Sequence, residues 1–195
     1  TSLTSIDVSS FDTSNVTNMS KMFYNCKKLQ SIDVSNFNTK NVKDMNGLFS
    51  QCNEITSLDV SKFNTANVTD MSNMFSQCTS LAQLDLSSFD TGKVTDMDYM
   101  FFRCSKLSSL DLSMFDTGNV KYMGSMFCQC SNLKSINVLN FKTSKVIDMS
   151  DMFASCTNLK RADLSSFETT SLQNMRAMFE KCSNITVIDL SNANT

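Results

Sequence analysis

Residues Phe63–Cys78 read "FNTANVTDMSNMFSQC", and this stretch returns along the chain with only small changes. It stands as "FDTSNVTNMSKMFYNC" from Phe11, "FDTGKVTDMDYMFFRC" from Phe89 and "FETTSLQNMRAMFEKC" from Phe167. Each copy begins 26 residues after the one before, with no insertion or deletion. A second constant element fills the space between copies, as in "SLAQLDLSSF" before Asp90. The unit is L-x-x-L-D-L-S-x-F-x-T-x-N-V-T-D-M-x-x-M-F-x-x-C-x-x. About seven and a half copies make residues 1–195 a single solenoid. The lack of recognisable caps, and Ala193 where another Phe is due, make an excerpt of a longer array the expectation.

The period explains an odd composition. Of 15 Phe, all but Phe102 fall in two columns, Phe11 to Phe167 and Phe23 to Phe179. Of 14 Met, all but Met114 fall in two more, and of 8 Cys, all but Cys128 form the column Cys26 to Cys182. These residues spell one core pattern many times over. They do not spell a redox or cofactor site. The net charge of −2 is spread along the chain, with no basic block for nucleic acid and no apolar run long enough for a membrane span. With no Pro and only 4 Gly, the turns must come from Asn, Asp, Ser and Thr.

A strict period of this length marks a solenoid whose rungs bury their apolar faces against one another. The alternation in "LDLSSF" predicts a short strand, with Leu84 and Leu86 inward and Asp85 and Ser87 outward. "DTGK" then predicts a turn. Val94, Met97, Met100, Phe101 and Cys104 are spaced by three or four, which predicts a short helix or a single turn. A helical flank is wider than a strand, so strands on the concave side of a curved solenoid are expected.

Catalysis finds little support. Without His there is no His-based triad or His metal ligand, and an insertion-free array has no long loop to house a site. Neither a cofactor nor a metal is expected. The thiols, 26 residues apart, read as buried hydrophobes, whereas Cys128 stands at a variable position and is expected to be exposed. The constant Thr column from Thr13 is expected to cap the turn.

The candidate binding stripe is the outward strand position. Asp33, Asp59, Asp85, Asp111 and Asp163 follow one another there, interrupted at Asn137, with Ser35, Ser61, Ser87 and Ser113 beside them. Carboxylates one strand spacing apart repel by roughly 1 kcal/mol even in water. Counter-ions, hydrogen bonds or a cationic ligand must offset that. One Asp per rung supplies calcium poorly.

The strand element resembles the leucine-rich repeat. The longer pattern with N-V-T-D-M-x-x-M-F-x-x-C resembles the BspA-like leucine-rich repeat surface proteins over essentially the whole chain. That resemblance implies an α/β repeat solenoid, right-handed and curved, with a parallel sheet on its concave face. It also implies a cell-surface or secreted module for adhesion, binding a host or matrix protein or a polysaccharide. A structural role, with rungs assembling into a filament or layer through uncapped ends, is the alternative.

Overall fold

The computed structural model describes residues 2–191. Ala193 and Thr195, which continue the Phe and Thr columns of the repeat, lie outside them. The chain winds as stacked rungs in the 26-residue register, so each core column becomes a ladder through the interior. Phe23, Phe49, Phe75, Phe101, Phe127, Phe153 and Phe179 stack face to face, with neighbouring ring centroids 5.5–6.1 Å apart. Val94, Met97, Met100, Phe101 and Cys104 are all fully buried, as their spacing requires.

Their spacing does not come from a helix. No helix forms among the described residues, and each rung bends instead through consecutive β-turns. In one rung, Phe37 N–H donates to Val34 O, Val42 to Thr39, Leu48 to Met45, Ser50 to Gly47, Cys52 to Phe49 and Ile55 to Cys52. Turns that close every three or four residues bring the same positions inward as a helix would, and for that reason the period misleads. The breaking element is a left-handed residue twice per rung, such as Gly47 (φ 60) with Gln51 (φ 63) and Tyr99 (φ 58) with Arg103 (φ 58). Each lies third in its turn, the position that a type II turn gives a positive φ.

The left-handed residues also tie the rungs together. Gly47 N–H donates to Ser72 O at 2.9 Å and Gln51 N–H to Ser76 O at 2.7 Å, and Asn73, Gln77, Tyr99 and Arg103 repeat the pattern. Two further donors per rung, such as Met45 to Asp70 O and Phe49 to Met74 O, complete a four-bond ladder on this turn face. Parallel bridging pairs mark its edge from Asn18 through Asp44, Asp70, Asp96, Tyr122 and Asp148 to Asn174.

The strand face is looser than the sequence suggests. Among the described residues, only β1 (Arg161–Asp163) and β2 (Val187–Asp189) pair as parallel strands. The strands are short because the turn begins at once: the inward Val34 accepts from Phe37 only three residues later. At the head of this segment, Gln30 N–H reaches Thr4 O, Lys134 reaches Ser108, Lys160 reaches Lys134 and Thr186 reaches Lys160. Among the described residues no such bond joins Gln30 to Thr56, Thr56 to Ala82 or Ala82 to Ser108. The backbone ladder thus runs mainly along the turn face, and the wide helical flank that would set the strands on a concave side is absent.

Candidate functional site

The three missing links coincide with an open groove of about 580 Å³ on the strand face. Asp59, Asp85 and Asp111 line it on consecutive rungs, with Ser57, Gln83 and Ser109 beside them. The alternation read from sequence holds here: Leu58, Val60, Leu86, Leu110 and Leu112 are buried, Leu84 is half-buried, and the three carboxylates face solvent.

The structure also identifies what offsets the repulsion along the stripe. Each carboxylate accepts the N–H two residues on: Asp33 Oδ1 from Ser35, Asp59 from Ser61, Asp85 from Ser87 and Asp111 from Ser113, all at 2.9 Å. The Ser hydroxyl and N–H hold Asp33 and Asp59 below the usual carboxylate range. The N–H and hydroxyl of Ser87 and Ser113 do the same for Asp85 and Asp111. Asp85 feels both Asp59 and Asp111 as like charges, yet the hydrogen bonds outweigh them. The Asp/Ser pair is therefore a turn-forming unit that keeps its carboxylate ionised. Asp163 is separated from the groove: it is half-buried, takes bonds from the Ser165 N–H and hydroxyl, and pairs with Arg161 at 3.3 Å.

Two sequence expectations are overturned. Cys128 is buried, only 8% exposed, and burial assisted by Asp151 pushes its thiol up to about 11, which removes it as a reactive group. The regular thiols are buried and free, and those from Cys52 to Cys182 each donate to the carbonyl of a Phe on the preceding rung, as Cys78 Sγ does to Phe49 O at 3.2 Å. The Thr column does not cap its own turn. Asp12, Asn38, Asn64, Asp90 and Asp116 do so, accepting the N–H two residues on. The buried Thr hydroxyls instead clasp the next rung. Thr65 Oγ1 donates to Asp90 O and accepts from Asp90 N–H, both at 2.8 Å.

A second acidic column, within the quoted V-T-D-M but not singled out there, is half-buried: Asp44, Asp70, Asp96 and Asp148. Asn18 and Asn174 donate to its two ends, at Asp44 and Asp148. Beside it, Asp98 accepts from Gly124 N–H at 2.5 Å, and burial with the neighbouring Asp96 charge pushes its carboxyl up to about 7. No three His, Cys, Asp or Glu side chains among the described residues are grouped to hold a metal ion.

Asparagine is the other contribution that the repeat concealed. Asn36 Nδ2 reaches the carbonyls of Val8, Ser9 and Phe11 on the preceding rung, and Asn140 does the same with Leu112, Ser113 and Phe115. Asn67 donates to Lys40 O and accepts from Lys93. Its N-x-T sequon therefore stands on an amide that already binds two rungs.

Comparison with known proteins finds a family model described as a Mycoplasma protein of unknown function, DUF285, matching residues 1–111, 49–138 and 100–195. No curated protein matches. A leucine rich cell surface protein from Faecalibacterium prausnitzii A2-165 is similar at 15% identity, over 88% of this chain and 76% of that one, with a TM-score of 0.22. That likeness is too slight to build on. No helix among the described residues is long and apolar enough to cross a membrane.

Proposed function

This chain belongs to the DUF285 family, and from that premise we propose a non-enzymatic binding module that acts at the cell surface or outside the cell. The family is described as of unknown function, so the reading rests on the groove of the strand face. The observation that supports it is the coincidence of two features on residues 57–111. The rungs there lack the backbone bonds found at either end of the face, and three ionised carboxylates line the opening.

Such a groove suits an extended basic segment of a host or matrix protein. Its Lys and Arg side chains meet Asp59, Asp85 and Asp111, and its backbone reaches main-chain groups that the rungs leave unpaired. Repetition along the axis adds weak contacts into useful affinity. The leucine-rich-repeat surface proteins that the sequence resembles supply the precedent for such a role, as an expectation.

The test is binding of the purified chain to extracellular-matrix proteins beside a variant carrying Asp59→Asn, Asp85→Asn and Asp111→Asn. Three exposed ion pairs at about 0.2–1 kcal/mol each predict a loss of roughly tenfold, with binding that weakens as salt is raised. Binding that is equal in both proteins removes the strand face as the site. A second reading is assembly of rungs into a filament or layer. A single monomeric species across concentrations in sedimentation rejects it.

A further inference from the structure

The turn face carries a groove of a different chemistry. It is lined by Gln77, Arg103 and Gln129 on consecutive rungs, has a volume of about 500 Å³, and runs from Asn53 to Thr157, across five rungs. A second groove of about 370 Å³ shares Gln77 with it and extends the surface to Gln51 and Tyr24. No carboxylate lines either groove.

The backbone builds this surface deliberately in every rung. Gln51, Gln77, Arg103 and Gln129 are the left-handed residues of the last turn, with φ of 58–63°, and their N–H groups are fixed to the next rung. Their long side chains therefore leave the solenoid in one direction at each step. Beside them stands a row of hydroxyls whose protons are turned inward: Thr79 Oγ1 donates to Asn53 O, Ser105 to Thr79 O and Thr157 to Ser131 O. Those oxygens keep lone pairs for an acceptor role, while the Gln amides both donate and accept. The only cation in the larger groove, Arg103, is engaged by Gln129 Oε1 at 2.8 Å and lies over the Phe102 ring, 5.7 Å from its centroid. Phe102 in turn packs edge-on against the exposed Tyr99 at 5.6 Å.

We propose that this turn-face groove binds an uncharged, hydroxyl-rich chain, a neutral polysaccharide laid along the solenoid axis. Alternating donors and acceptors match sugar hydroxyls, the exposed Tyr24 ring lining the second groove matches the C–H face of a sugar ring, and Phe102, whose ring lies under Arg103, holds that side chain at the larger groove. A groove open along five rungs admits a polymer and gives no end wall to hold a small molecule. A peptide is a poorer fit, since the groove has no apolar pocket for anchoring side chains. The inference concerns the face opposite in chemistry to the acidic stripe and does not depend on it.

The experiment is affinity electrophoresis and calorimetry of the intact chain with soluble mannan, dextran and galactomannan. It is run beside Gln77→Ser with Gln129→Ser, a Phe102→Ala variant, and the triple Asp→Asn variant of the strand face. Ser is safe at the Gln positions because Ser155 already occupies that column with φ 60. The expected result is retardation by at least one of these polymers, weakened about tenfold by the Gln pair, weakened by Phe102→Ala, and unchanged by the triple Asp→Asn variant. Two outcomes overturn the proposal: no retardation by any of the three, or retardation that the Gln and Phe changes leave intact in folded proteins. Binding of a basic peptide lost only in the Asp→Asn variant, with no polysaccharide bound, overturns it while sustaining the strand-face reading.

Discussion

At the scale of the residue, the repeat gives each hydroxyl of the buried Thr column, from Thr13 to Thr143, a backbone partner one rung away. Thr65 is 1% exposed, and its hydroxyl holds both the N–H and the C=O of Asp90. Thr65→Val keeps the shape and strands both groups, so a loss of about 1–3 kcal/mol is expected in urea unfolding. Asp98 is the exception, a carboxyl in a setting that disfavours its charge. Its folded value of about 7 lies above the ordinary 3.8. The folded chain therefore binds that proton more tightly than the unfolded one. The added stability is full below pH 4 and is lost as pH rises through about 7. With Asp98 still partly in solvent, about 1–2 kcal/mol is a fair discount of the effect. Asp98→Asn should be more stable than the parent at pH 8, and the gap should narrow at pH 5 and close only below pH 4. A constant difference between the two across that range contradicts the assignment.

At the scale of the element, the decisive unit is the left-handed turn, and here the sequence spoke least clearly. Which residues are inward was legible, because Val94, Met97, Met100, Phe101 and Cys104 keep their spacing whether the backbone is helical or turned. The backbone itself was not. The column that breaks the helix holds Lys21, Gly47, Asn73, Tyr99, Ser125, Asp151 and Ala177, and only Gly47, Asn73 and Asp151 advertise a positive φ. The strain is held by hydrogen bonds along the axis, a tertiary effect that no local pattern records. Gly47 gives the test. A Cβ there would sit at φ 60 and 3.3 Å from Lys21 Cγ, so Gly47→Ala should cost about 1 kcal/mol. The exposed Lys21, left-handed in its own rung, should gain about 0.5–1 kcal/mol as Lys21→Gly. Thermal melts of the two variants should move in opposite directions. The Asp/Ser stripe was legible as a column, but its turn-forming role was not, because alternation alone implied a longer strand.

At the scale of the whole molecule, the two faces divide cohesion and exposure between them. Among the described residues the turn face joins each rung to the next through at least four backbone bonds, and the stacked Phe ladder runs through the interior. The strand face, bonded at either end, opens over residues 57–111 and presents Asp59, Asp85 and Asp111. A regular repeat could not reveal that opening, since Thr56, Ala82 and Ser108 look no different in kind from their counterparts in other rungs. Residue-resolved amide hydrogen exchange tests this division most directly. The N–H groups of Gly47, Gln51, Asn73 and Gln77 should exchange slowest, and those of Ser57–Asp59 and Gln83–Asp85 faster by orders of magnitude. Equal or greater protection across residues 57–59 and 83–85 would mean a continuous sheet there, and would contradict both the open groove and the binding role proposed for it.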